Sequence, residues 1–232
     1  KYMFLMQQMA VYALVSDGHI NEALEKANVM LKQATQMKYD IGIAIAHYAI
    51  GDTYLNANMN NEAIEEYEIV MQKLHKVSDS EKLQEKVLIQ LIPTLIRMGR
   101  MDKAKAYLDQ MEQMNDYQHS RFIENIFQAY YYLHNNDMDK VRKYIQEAEE
   151  WYEYYPFYFH SSILKYIQAE YAKRIGDDEL AIKLYNELTI NTSSANVYNR
   201  YLKMKNSLAQ LYTKQSRPRE ACAIFQDINI AD

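Results

Sequence analysis

The chain has 232 residues, of which only 5 are glycine and 3 proline. Average proteins carry roughly 12% of the two together, so turns are scarce here and a sheet-rich fold with many hairpins is excluded. Hydrophobic residues at 49% and charged residues at 25% exclude a disordered or fibrous chain, one cysteine excludes a disulfide framework or a cysteine-rich zinc site, and a net charge of −5 lacks the basic excess of a nucleic-acid binder.

The N-terminus, Lys1-Tyr2-Met3-Phe4-Leu5-Met6, opens directly in an amphipathic pattern. It has no starting methionine and lacks the apolar region and small-residue cleavage site of a signal peptide, so the chain reads as a piece of a longer protein. The longest nearly apolar run, Ile41 to Gly51, falls far short of the ~20 residues that a spanning helix needs.

A repeat runs through the whole chain. Ala23, Ala63, Ala104, Val141, Ala181 and Ala221 recur at intervals of 37 to 41 residues. Five positions before each stand Gly18, Asn58, Gly99, Asn136, Gly176 and Ser216. Gly and Asn are the residues that best tolerate left-handed backbone, which a helix ending in a sharp turn requires at the position just past its C-terminus. Four residues before the turn stand Leu14, Tyr54, Leu95, Tyr132, Ala172 and Tyr212; three further back stand Val11, Gly51, Ile92, Ala129, Ala169 and Ala209. Ala27, Tyr67, Leu108, Ile145, Tyr185 and Phe225 follow four residues after the anchor. These offsets trace one face of a helix. Each unit is therefore a helix A, a tight turn and a helix B.

Taken in order, the units span roughly 1–38, 39–77, 78–116, 117–156, 157–192 and 193–232 of one domain. Ser78-Asp79-Ser80-Glu81 has the capping-box pattern ahead of the third A helix. Pro93 falls inside that helix and is expected to kink it or break its ladder. Asp177 or Asp178 is expected to cap the fifth B helix, and Pro218 suits the first turn of the sixth. The chain closes at Ile228–Asp232 without a polar capping helix, so a further helix, partner or domain is expected to cover the last apolar face.

The second unit, with Gly51-Asp52-Thr53-Tyr54, Asn58, Glu62-Ala63 and Tyr67, resembles the tetratricopeptide repeat (TPR) in its Gly, Tyr, Gly/Asn, Ala and aromatic positions. The resemblance covers essentially all of the chain, with a period near 40 in place of about 34, so each helix is expected to be about a turn longer than usual. It implies an all-α fold: a right-handed α-solenoid of about six long TPR-like helix pairs. It also implies a groove lined by the A helices that holds peptides or protein segments.

No catalytic or metal-binding set stands out. The histidines at 19, 47, 75, 119, 134 and 160 include no pair three or four apart, and no phosphate loop, nucleophile elbow or kinase motif occurs. Cys222 reads as a buried packing residue. No catalytic activity, cofactor or metal is expected. Candidate groove residues, placed by the resemblance, are Tyr48, Asp52, Arg97, Tyr130, Tyr166 and Arg174. The stretch Trp151 to Phe159, seven of whose nine residues are aromatic, adds Trp151 and Tyr155 as a recognition patch or as packing between repeats. The clamp that some TPR proteins use for C-terminal carboxylates needs Lys, Asn and Arg positions that are not all present, so chaperone tails are not the expected ligand.

Ala44–Asn56 looks like TPR stretches in membrane-bound regulators of the Bacteroides group. That resemblance implies the ligand-sensing periplasmic region of an inner-membrane protein whose output is a histidine kinase or DNA-binding domain, in a two-component system. The alternatives are a cytoplasmic TPR regulator that binds a peptide signal, and an assembly scaffold. The expected partner is a protein or peptide, with self-association as a homodimer also open. Neither nucleic acid nor membrane is expected to contact this domain.

Overall fold

A computed structural model describes residues 2–75, 77–78, 80–114, 118–152, 158–191 and 198–229. Among them lie twelve α-helices and no strand. They are α1 (Tyr2–Ser16), α2 (Ile20–Gln36), α3 (Asp40–Asn56), α4 (Asn60–Leu74), α5 (Glu81–Arg97), α6 (Met101–Gln113), α7 (Gln118–His134), α8 (Met138–Tyr152), α9 (Tyr158–Ile175), α10 (Asp178–Asn191), α11 (Tyr198–Lys214) and α12 (Pro218–Asn229). Odd-numbered helices are the A helices of the repeat and even-numbered ones the B helices. The chain divides into two compact units, Lys1–Met114 with α1 to α6 and Asn115–Asp232 with α7 to α12. Within each, every helix packs on its sequence neighbours, which makes an all-α stack of TPR-like helix pairs.

The A-to-B turns explain why the helices stop where they do. Gly18, Asn58, Gly99, Asn136, Gly176 and Ser216 all have positive φ, between +58° and +86°. In each turn the following residue reaches back to the carbonyl five positions earlier, as His19 does to Leu14 at 2.8 Å, Met59 to Tyr54 at 2.9 Å and Arg217 to Tyr212 at 2.8 Å. These bonds satisfy carbonyls that a helix end otherwise strands. Lys38, at φ 50°, repeats the device between α2 and α3.

Three local expectations resolve individually. Asp177 caps α10, its Oδ1 accepting from the Leu180 amide at 3.1 Å, and Pro218 opens α12. The residue before α5 is Ser80, not Ser78. Its hydroxyl donates to the Val77 carbonyl at 2.7 Å and receives the Gln84 amide at 2.7 Å, so it stitches the connection and does not cap. α5 runs unbroken through Pro93, which sits in a fully buried stretch, Leu91–Ile96; the Thr94 hydroxyl supplies an extra bond to the Gln90 carbonyl at 2.7 Å. Packing on both sides outweighs the one lost ladder bond.

The cores follow the repeat register. In the first unit Phe4, Val11, Ala23, Ala27, Met30 and Ala34 meet Ile45, Ala46, Ala49 and Ile50. In the second, Ala169, Ala172, Ala181, Tyr185, Leu188, Met204, Leu208 and Tyr212 form a cluster between α9, α10 and α11. Small residues permit close helix approach. A Cβ on Gly51 would stand 2.8 Å from Cε1 of Tyr67, so α3 presents bare backbone to the ring of that fully buried tyrosine.

Candidate functional site

A buried carboxylate sits at the centre of the first unit. Asp52, one helical turn from the end of α3, is 6% exposed. The hydroxyl of Tyr67, reaching across from α4, donates to its Oδ1. The hydroxyls of Tyr12 on α1 and Tyr48 on α3 lie close enough to hydrogen-bond to the same carboxylate, and the charge of Lys86 on α5 acts on it. Gln90 hydrogen-bonds to Tyr48, and Gln8 Nε2 donates to the Tyr12 hydroxyl at 3.0 Å. Three successive A helices therefore supply one polar cluster, and a B helix completes it from behind.

Burial pushes Asp52 up to about 6, against the three hydroxyls and Lys86, which favour the carboxylate. The same burial, together with the charge on Asp52, raises Tyr12, Tyr48 and Tyr67 well above the ordinary phenol value. At neutral pH the tyrosines are thus obligate O–H groups, donating to a carboxylate that titrates near physiological pH.

The second unit repeats the arrangement. Counted from their turns, Tyr12, Tyr48, Asp52, Tyr67 and Lys86 correspond to Tyr130, Tyr166, Glu170, Tyr185 and Lys203, 117 or 118 residues later. The Tyr185 hydroxyl donates to Glu170 Oε1 at 2.5 Å, and Ser207, in the place of Gln90, hydrogen-bonds to Tyr185. Burial and then the Glu170 charge raise Tyr185 well above its ordinary value. His134 at the end of α7 faces Glu170, Arg174 and Lys203; its ring stands edge-on to Tyr130 with centroids 4.6 Å apart.

The sequence candidates distribute as follows. Tyr48 and Asp52 belong to the first cluster, and Tyr130, Tyr166 and Arg174 to the same A-helix face of the second. Tyr48 and Tyr130 are largely buried, whereas Tyr166 is half-buried and Arg174 exposed. Arg97 is exposed and donates to Asn60 Oδ1 and Thr94 Oγ1, both at 3.2 Å, near the α4 start. Trp151 is half-buried on α8, a B helix. Tyr155 and most of the aromatic stretch lie outside the described residues. Cys222 is exposed, contrary to the packing role read from its neighbour Ala221. Its position is one residue, 100° of helix, away from the buried anchor.

The residues missed at the sequence level were Tyr12, Tyr67 and Tyr185 as partners of a carboxylate. A legible signal existed: in the second and fifth repeats alone, an acid six residues before the turn accompanies a tyrosine four residues after the anchor. Among the described residues no group of His, Cys, Asp and Glu could hold a metal ion, and no helix is long and apolar enough to cross a membrane.

No protein-family model matches the chain, and no curated protein matches it in sequence. Solved structures do match. BtubC (BKLC) from P. vanneervenii superposes with a TM-score of 0.62 at 11% identity, over 90% of this chain and 89% of that one. A tetratricopeptide repeat protein from Parabacteroides merdae ATCC 43184 superposes with a TM-score of 0.56 at 12% identity, over 99% of this chain and 80% of that one. The chain thus has a TPR-like α-helical repeat fold. At such identities the likeness is one of fold.

Proposed function

We propose that this chain is a protein- or peptide-binding module that works through the A-helix faces of its two units, without a catalytic step of its own. The observation that carries the reading is the twice-built cluster of tyrosines, one carboxylate and one lysine on successive A helices. The exposed Lys86 and Lys203, with the half-buried rings of Tyr12 and Tyr166, offer a peptide charge and flat contact area beside the buried, internally hydrogen-bonded part of each cluster. Display selection of random peptides on the immobilised chain tests it. Enriched sequences that bind in solution, and lose affinity when Tyr166 is changed to Ala, are expected; no enrichment over a bare surface refutes the reading.

We further propose that the module is the sensing region of a membrane-bound two-component regulator, on the periplasmic side of the inner membrane. Support comes from the Ala44–Asn56 stretch and from the fold shared with a Parabacteroides TPR protein. In that setting a ligand would bias the helix stack between two arrangements and the following segment would carry the change; ~1–3 kcal/mol of coupling suffices for a usable switch. Topology reporters fused to the full-length protein, together with output measured with and without groove substitutions, test this. A full-length protein with no spanning segment would overturn it.

A further inference from the structure

The helices of the second unit divide their charge unequally. α7, α9 and α11 carry eight Lys and Arg against two Asp and Glu, while α8, α10 and α12 carry five against nine. The A-helix side is thus basic in a protein whose net charge is −5. Among the described residues, Lys165 pairs with Glu187 at 2.7 Å and Lys214 with Asp178 at 2.6 Å.

Three others are held without being neutralised, or stand free. The Arg174 guanidinium donates to the Leu133 carbonyl and to Asn136 Oδ1 at 3.5 Å, neutral acceptors that position it and leave its charge intact. Lys173 Nζ donates to the Ser207 hydroxyl at 3.0 Å. Lys203 is exposed and forms no ion pair with a described residue. The acid beside them, Glu170, already accepts the Tyr185 hydroxyl. His134, facing the same group, is lowered from its usual value, first by partial burial of its ring and also by the charges of Arg174 and Lys203.

We propose that this face, formed by Lys173, Arg174 and Lys203, with Tyr166 two helical turns before the first two on α9, docks an extended peptide segment rich in Asp and Glu. The inference rests on the peptide-binding reading and adds the chemistry of the partner. A guanidinium already fixed by neutral acceptors loses little side-chain freedom when it meets a carboxylate. Tyr166, half-buried on the same helix as Lys173 and Arg174, offers an apolar ring to the segment that leads away from them. The acidic B helices oppose the spread of a long polyanion around the unit, which favours a short acidic peptide over nucleic acid.

The test uses the full chain and a short fluorescein-labelled peptide of alternating Glu and Tyr, read by fluorescence anisotropy. Its counterpart with Gln for Glu and an oligouridylate of the same length serve as comparisons. The acidic peptide is expected to bind, to weaken as salt is raised, and to bind roughly fivefold more weakly to Lys203→Glu. Lys203 is exposed, so this variant is expected to keep the wild-type circular dichroism, and Lys26→Glu on α2 is expected to bind as wild type. Equal binding of the Gln peptide, tighter binding of the oligouridylate, or an unaffected Lys203→Glu variant each overturns the proposal. If display selection yields binders that are not acidic, the peptide-binding reading stands and this inference alone falls.

Discussion

The Tyr67 hydroxyl, on a ring with no exposed surface, donates to the carboxylate of Asp52, 15 residues earlier on the preceding helix. Tyr185 and Glu170 make the same bond, also 15 residues apart, in the second unit. In both, the tyrosine is a core residue of the B helix whose hydroxyl reaches a carboxylate on the A helix. Each bond ties the two helices of a repeat together and satisfies a carboxylate that burial would otherwise penalise. Tyr67→Phe is therefore expected to cost about 1–3 kcal/mol at pH 7.5, by leaving Asp52 one donor short. Urea unfolding measures it, and the cost is expected to shrink at pH 5, where Asp52 is protonated.

The raised value of Asp52 has a definite sign in stability. A carboxyl whose folded value lies above its unfolded one contributes stability that is full below the unfolded value of 3.8 and is lost as pH rises through about 6. Tyr12, Tyr48, Tyr67 and Lys86 are the titratable groups that face it. Across that window the group is worth roughly 3 kcal/mol. Asp52→Asn is expected to remove this part of the pH dependence. Thermal unfolding between pH 5 and 8 should show the wild type gaining on the variant as pH falls; parallel curves would contradict the burial argument.

Gly51 and Gly176 are expected to fail for different reasons when substituted. A Cβ at Gly51 meets the Tyr67 ring at 2.8 Å, so Gly51→Ala should cost about 1–3 kcal/mol through overpacking and displace the ring from Asp52. At Gly176 nothing lies within 4 Å of a Cβ, but φ is +86°, so Gly176→Val should cost about 1–3 kcal/mol through backbone strain alone. Stability and tyrosine near-ultraviolet circular dichroism together separate the two, since only the first is expected to change the tyrosine signal.

Ser216 makes a prediction of opposite sign. It occupies the same turn position with φ +58° and has a Cβ to pay for it. Ser216→Gly is expected to raise stability by about 1 kcal/mol in urea unfolding, because left-handed backbone is strained for serine and free for glycine.

The turns, the helix pairing and the all-α class were legible in the residues because each depends on neighbours in sequence. Positive φ is a local demand, and Gly18, Asn58, Gly99, Asn136 and Gly176 state it in residues that meet it. Asp177 as a cap and Pro218 at a helix start are equally local. Pro93 lies inside the third A helix as expected and costs it one ladder bond, and the fully buried stretch around it is where α5 continues. Ser78 was misleading because the Ser78…Glu81 pattern would start the helix two residues early, whereas α5 begins at Glu81 and Ser80 bonds back into the connection.

What the sequence by itself determined is the repeat register, since a 3.6-residue period and a glycine or asparagine at five of the six turns leave one consistent reading. It also placed Tyr48, Asp52, Tyr166 and Arg174 on A helices. Only the tertiary structure decided what those residues do. Asp52 becomes a titrating, tyrosine-bound carboxylate because α1, α4 and α5 close over it. Arg174 becomes a positioned, uncompensated cation because the α7 end lies within its reach, 41 residues away in sequence. Burial and long-range hydrogen bonding act through space, so they fix the chemistry of a side chain whose identity and helix register were already set.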